Sequence, residues 1–349
     1  MKLQLMDCTL RDGANVVGKG FSAELTDMVL DGLTASRVPI IEFGNAGGIG
    51  AYEVAGFTDA LTDEEYLNIS KKYLNRSSML GMFLNAKRYR EKNVDLAAEN
   101  GLSFLRVGAD AGDGEIAVKA IGDIKKRKMK AFYSAMKAYI LTPDELAEEG
   151  KKLEAAGLDE FTIMDSAGTM LPDEVAAYTE KLCRAVTIPV AFHGHNNLGM
   201  SAANAVAAWE NGGSILDCGL FLCAGGENGA SILDCGLMGM ARSAGNLATE
   251  MCVALMRRRG QMEDIDFYGM LDFIDQRLQP AMEQYKYHNP VPPLDLVLGY
   301  SGCHSSFVKQ FKAAAAEKNV SLYRLISEVS EINKKNPKPE LIAEIAESL

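Results

Sequence analysis

Short apolar runs alternate with amphipathic stretches along the first 255 residues. The runs are "LQLMD" (3–7), "PIIEFG" (39–44), "SMLGMFL" (78–84), "SFLRVGAD" (103–110), "KAFYSAM" (130–136), "EFTIMDSAG" (160–168), "VAFHGHN" (190–196) and "SILDCGL". Between them the apolar positions recur at helical spacing, as at 22–36, 63–74, 114–127, 143–156 and 200–210. "TPDEL" (142–146) and "LPDEV" (171–175) each place Pro and acids in a first helical turn, where fixed φ and the helix dipole favour them. Strand and helix repeated this often predict parallel βαβ units closing into a (β/α)₈ TIM barrel. After residue 255 the alternation stops. Residues 262–349 read as helices around a loop, "HNPVPPLDLVLGYSGCHSSF" (288–307), so a helical C-terminal extension follows a barrel domain at 1–255.

A duplication disturbs the strand count. "ENGGSILDCGL" (210–220) returns as "ENGASILDCGL" (227–237), a 17-residue tandem repeat. A single pair is no solenoid. Nine strand candidates then compete for eight places. The second copy is predicted to be the barrel strand, because it runs into "MGMARSAGN"; the first runs into the apolar "FLCAGGEN" and is predicted to be displaced.

Composition narrows the function. The 349 residues carry 36 Lys+Arg against 47 Asp+Glu, a net charge of −11, which argues against nucleic acid or an anionic membrane as partner. Arg257–Arg259 reads as a solvated helix end. No apolar run approaches the ~20 residues of a membrane helix, and the N-terminus resembles no secretory signal. Seven cysteines without a C-x-x-C pair give neither a disulfide framework nor a zinc ribbon. A cytoplasmic protein with reduced thiols is expected.

Two of the four histidines lie in "FHGHNN" (192–197). On a strand, His193 and His195 point to the same side, and at the C-terminal end of a barrel strand that side is the catalytic face. Two imidazoles alone seldom hold a metal. "DCTLRDG" (7–13) ends the first strand, which neighbours the last in a closed barrel, so Asp12 can supply a carboxylate. That set suits Mn²⁺, Mg²⁺ or Fe²⁺ with positions left for substrate and water. Arg11 would add a fixed cation for negative charge building on a 2-oxo acid enolate. The glycine loop "FGNAGGIG" (43–50) lacks the dinucleotide-binding spacing.

"DCTLRDG", "MDSAG" (164–168), "FHGHNNLGMSAANA" (192–205), "ARSAGN" (241–246) and "LGYSGCHSSF" (298–307) together resemble the 4-hydroxy-2-oxovalerate aldolase family. It lies in the metal-dependent lyase and synthase superfamily that includes isopropylmalate synthase and hydroxymethylglutaryl-CoA lyase. The resemblance covers nearly the whole chain. It implies Asp12, His193 and His195 as metal ligands, with Asn246 joining them in some members. It further implies Arg11 as enolate stabiliser, Ser166 on the pyruvate end and Tyr300 shaping the substrate pocket. It also implies a divalent metal, Mn²⁺ ahead of Mg²⁺ or Co²⁺, and cleavage of a 4-hydroxy-2-oxo acid to pyruvate and an aldehyde. An acylating aldehyde dehydrogenase, or self-association, through the C-terminal extension is the implied partnership. One departure matters. Where the family places a histidine base, this chain has Asn15, whose amide has no useful proton affinity. His304 is the replacement base to consider; His288 reads as a capping or solvent residue. A Claisen-type synthase using acyl-CoA, and a degenerate barrel serving as a binding or partner subunit, are the competing readings.

Overall fold

The computed structural model describes residues 3–54, 56–211 and 230–349. Eight parallel strands close into a barrel in sequence order: β1 (Gln4–Asp7), β2 (Ile40–Glu42), β3 (Met79–Asn85), β4 (Phe104–Asp110), β5 (Lys130–Met136), β6 (Glu160–Asp165), β7 (Val190–Gly194) and β8 (Ile232–Cys235). The TIM barrel expected from the alternation is the fold. Helices α1 (Ala23–Ala35), α2 (Asp63–Ser70), α3 (Glu91–Glu99), α4 (Val118–Lys126), α5 (Pro143–Ala155), α6 (Pro172–Ala185), α7 (Ser201–Glu210) and α8 (Thr249–Arg257) follow the successive strands. Their starts obey local chemistry. Thr142 caps α5 with its hydroxyl accepting from the Glu145 N–H, and Glu145 reaches back to Thr142 N, so two otherwise unpaired donors are satisfied.

The closing strand β8 comes from the second copy of the duplicated segment. It pairs with β1 through Leu5↔Leu233 and Asp7↔Cys235, and with β7 through His193↔Asp234. The first copy, predicted to be displaced, lies outside the described residues.

Inward positions stack in storeys. Met6, Ile40, Phe104, Phe132, Ala191 and Ile232 form an apolar floor, with the Phe104 and Phe132 rings stacked 4.7 Å apart. Two residues further along each strand the interior turns ionic: Glu42, Arg106 and Asp234 are all buried. One more step brings the barrel mouth and the candidate site.

The chain divides into two compact units, Met1–Cys252 and Val253–Leu349, with α8 running across the boundary. The second unit is helical. It holds α9 (Phe267–Phe273), continued through a π turn into α10 (Gln279–Met282), then α11 (Pro293–Ser301), α12 (Val308–Lys318), α13 (Leu322–Ile332) and α14 (Pro339–Ser348). Helix α11 corrects the expectation of a loop over 288–307. Pro292 and Pro293 mark the start of this helix rather than its absence, because proline at the first helical position loses no hydrogen bond. The left-handed Gly302 (φ 69°) then ends it.

Candidate metal centre at the barrel mouth

Strand alternation carries His193 and His195 to the same inner side of β7, and the first turn after β1 brings Asp12 against them. Asp12 Oδ2 lies 3.6 Å from His193 Nε2 and 3.7 Å from His195 Nε2. One ligand atom from each of the three residues fits within 4.8 Å of the others. Asn246, in the segment after β8, donates from Nδ2 to Asp12 Oδ2 at 2.9 Å and pairs with His195 in an isolated antiparallel bridge.

The neighbours decide which nitrogen of each imidazole is bare. His195 Nδ1 is 3.1 Å from the Asp165 carbonyl oxygen, which can only accept, so the proton sits on Nδ1 and Nε2 keeps its lone pair. His193 Nδ1 lies 2.9 Å from Asp234 Oδ2, a contact outside hydrogen-bond geometry that still favours the proton on Nδ1, since a carboxylate can only accept. This is the arrangement that fixes the tautomer of a metal-ligating histidine. Burial, reinforced by His193, pushes His195 down to about 4, so it is neutral near pH 7. Burial opposes ionisation of Asp12, but Arg11, then His193, His195 and Asn246, outweigh it and hold the carboxyl at about 2. A carboxylate and two lone pairs therefore face one point. His193 Nε2 and Asn246 Oδ1 are buried without a hydrogen-bond partner. Buried polar atoms are rarely left so, and a divalent cation satisfies all of them at once.

Cys8, His193 and Asp234 form a second group of ligand-like atoms. Burial and the Asp234 charge raise the Cys8 thiol well above its usual range, so it stays protonated and donates to Asp234. Asp234 is in turn paired with Arg106. A protonated thiol beside a neutralised carboxylate is a poor cation site, and this group orients His193 instead.

Beneath the centre lies an ion network absent from the sequence expectations. Arg106 donates Nε to Glu42 Oε1 at 2.8 Å, Nη2 to Glu42 Oε2 at 2.5 Å, and Nη1 to Asp234. Arg11 shares Glu42, with Nε 2.6 Å from Oε2, and places Nη1 3.0 Å from Asp12 Oδ1. Its guanidinium lies over the Phe83 ring at 5.0 Å, and its Nη2 is buried without a partner. The runs carry the charges but not their pairing, which depends on the strand register. "PIIEFG", "SFLRVGAD" and "SILDCGL" carry Glu42, Arg106 and Asp234, all buried, and buried charges must pair.

The remaining predicted residues fall as follows. Asn15, half-buried, donates from Nδ2 to the Asp12 carbonyl at 2.9 Å, while its Oδ1 accepts from Lys19 Nζ at 3.1 Å and Arg242 Nε at 2.9 Å. Ser166 follows β6, its Oγ accepting from the Lys137 N–H at 2.9 Å. Tyr300 and His304 belong to the second unit. Tyr300 packs on Phe267 with ring centroids 5.1 Å apart. His304 is exposed and caps a short 3₁₀ turn, Nδ1 accepting from the Ser306 N–H at 3.2 Å.

A closed parallel barrel with two imidazoles and a carboxylate at its C-terminal mouth is the framework of a metal-dependent barrel enzyme. The chain belongs to the HMGL-like family, whose model matches residues 2–223. It is 30% identical over 347 residues to the 4-hydroxy-2-oxovalerate aldolase of Moorella thermoacetica, covering 99% of this chain and 96% of that one. It is 31% identical to the 4-hydroxy-2-oxovalerate aldolase of Pectobacterium atrosepticum, covering 100% of this chain and 96% of that protein. Among solved structures, the hydroxymethylglutaryl-CoA lyase of Bacillus subtilis shares the fold, with TM-score 0.63 at 16% identity over 83% of this chain and 95% of that one. Among the described residues no helix is long and apolar enough to cross a membrane.

Proposed function

We propose that the barrel mouth performs aldol cleavage of a 4-hydroxy-2-oxo acid, giving pyruvate and an aldehyde. The observation that carries this reading is the set of buried, unpartnered atoms at the mouth: a bare histidine nitrogen, the Asn246 carbonyl and one free guanidinium donor on Arg11. Asp12, His193 and His195 would hold a divalent cation, with Asn246 Oδ1 as a fourth donor; Mn²⁺ is the favoured ion ahead of Mg²⁺ or Co²⁺. When bound, such a cation supplies Lewis-acid polarisation of the 2-oxo group.

The chain's own residues supply the rest. Arg11 Nη2 would donate to the oxygen on which enolate charge develops as the C3–C4 bond breaks. Ser166 Oγ, already accepting from Lys137, keeps its own proton to donate to the pyruvate end. Tyr300 would shape the pocket. The 4-hydroxyl must lose its proton as the aldehyde forms. Asn15 cannot take it, and His304 is the candidate that can. The barrel at 1–255 would carry the chemistry and the helical extension at 262–349 the contact with an acylating aldehyde dehydrogenase or with a second copy. A cytoplasmic location suits the five described cysteines, all free and buried.

Pyruvate release from 4-hydroxy-2-oxopentanoate in the presence of Mn²⁺ tests the reading. The natural chain should be slow, and Asn15→His should be faster by about 10²-fold, since a positioned base contributes roughly 10²–10⁴. No gain in a folded, metal-loaded Asn15→His variant, together with no loss in His304→Ala, would contradict the aldol reaction.

A further inference from the structure

Three cations without an ion-pair partner among the described residues lie on one side of the rim of the mouth. Lys19 lies in the β1–α1 segment, Arg242 in the β8–α8 segment and Arg88 just after β3, all at the C-terminal ends of their strands. None of the three has an ion-pair partner among the described residues, in a chain of net charge −11. Lys19 and Arg242 both donate to the neutral Asn15 Oδ1, at 3.1 and 2.9 Å. Lys19 and Arg88 face the same ring, Phe57, at 5.7 and 5.3 Å from its centroid. Arg88 Nη2 donates to the Gly47 carbonyl, and its Nε is buried without a partner.

The rim is also held in place at a cost. Lys19 has φ 89°, a backbone region lysine avoids, and two backbone hydrogen bonds pin it: its N–H to the Ala14 carbonyl and its carbonyl to the Ala46 N–H, both 2.8 Å. Strain of this kind persists where the surroundings impose it, and it gathers at ligand-holding positions. Two charges share one amide oxygen that carries no charge to balance them, and with Arg242 exposed and Lys19 half-buried both stay open to an incoming anion. Asn15 is itself bonded to Asp12, so the rim begins one residue away from the ligand set.

We infer that Lys19 and Arg242, flanked by Arg88, form a subsite for a second carboxylate on the substrate, and that this chain prefers 4-hydroxy-2-oxo acids whose aldehyde half is anionic. The inference rests on the aldolase reading of the mouth. With the 2-oxo acid end against Arg11, the far end of a five-carbon substrate extends toward the rim, where a carboxylate would replace Asn15 Oδ1 as the acceptor. A methyl terminus, as in 4-hydroxy-2-oxopentanoate, leaves both cations on the amide.

Steady-state cleavage of 4-hydroxy-2-oxopentanedioate and of 4-hydroxy-2-oxopentanoate by the Mn²⁺-loaded full chain tests this. The dicarboxylate should have the higher kcat/KM by about ten- to a hundred-fold, the range of a hydrogen bond to a charged group. Most of that difference should lie in KM, and the ratio should collapse toward one in Lys19→Gln/Arg242→Gln. Binding is read independently of turnover. At equal concentration 2-oxoglutarate should raise the melting temperature more than 2-oxopentanoate does, and the double variant should lose that difference. Cleavage of both substrates with equal kcat/KM, or a preference the double variant keeps, overturns the subsite and leaves the aldolase reading standing. Cleavage of neither substrate overturns both.

Discussion

Arg106 and Arg11 are both buried, both rest on Glu42, and differ in what is left over. Every guanidinium nitrogen of Arg106 has a carboxylate partner, in Glu42 and Asp234. Arg11 uses two nitrogens on Glu42 and Asp12 and leaves Nη2 free. The same difference separates the storeys they occupy. The ionic middle of the barrel is nearly saturated, whereas the mouth holds buried atoms with nothing to bind. A saturated buried charge is part of the scaffold. An unsaturated one costs about 1–3 kcal/mol for each unmet buried donor or acceptor until a ligand completes it.

Substituting each arginine in turn should break the comparison cleanly. Arg106→Met leaves Glu42 and Asp234 uncompensated, and should lower unfolding free energy by about 3–5 kcal/mol in urea titrations. Arg11→Met should cost clearly less stability, yet reduce pyruvate release by about 10²–10³, as loss of an oxyanion donor does. Equal stability losses for the two variants would remove the distinction between scaffold and site.

Glu160 sharpens it next. Its Oε2 is buried in the lower barrel without a partner, which looks like an exception. Burial, against the opposing pull of Arg106, raises its carboxyl to about 8, so near neutral pH it carries a proton and no charge. Asp63 and Asp7 are raised in the same way, mainly by burial, to about 7 and about 6. For each the folded form holds the proton more tightly than the unfolded chain. The stability these three groups contribute is therefore fully present below about pH 4 and falls as pH rises toward 8, by at most about 1.4 kcal/mol per pH unit and group. Denaturation followed from pH 5 to 8.5 should show this decline, and Glu160→Gln should flatten its upper part. A Glu160→Gln profile parallel to the parent would place the carboxylate, ionised, in the fold.

The smallest effect belongs to the duplication. Deleting residues 213–229 leaves one intact copy of the segment that forms β8. Metal affinity should be unchanged and unfolding free energy should stay within about 1 kcal/mol of the parent or rise. Unfolding of the deletion variant would show that the first copy is required.

How much of this was legible in the sequence follows from what sets each feature. The strands and helices of the barrel were readable because hydrophobic periodicity and helix starts such as "TPDEL" are local signals. The approach of Asp12 to His193 and His195 was readable because barrel closure brings β1 within one strand of β7. The choice of β8 followed from what lies downstream of each copy. Helix α11 was lost because its two prolines read as a loop signal. The Glu42–Arg106–Asp234 network was lost for a different reason: each charge is unremarkable in its own run, and only the register of three distant strands reveals that they meet. The cations on Asn15 were hidden likewise, since Lys19 and Arg242 are 223 positions apart and meet only across the closed barrel.

The central claim is that the unsaturated mouth, and not the Cys8–His193–Asp234 group beneath it, is the cation site. Calorimetric titration of metal-free protein with Mn²⁺ at pH 7.5 tests it most directly. One equivalent should bind to the natural chain and to Cys8→Ser, and none should bind stoichiometrically to His195→Ala in a folded state. Binding retained in His195→Ala and lost in Cys8→Ser would contradict the account.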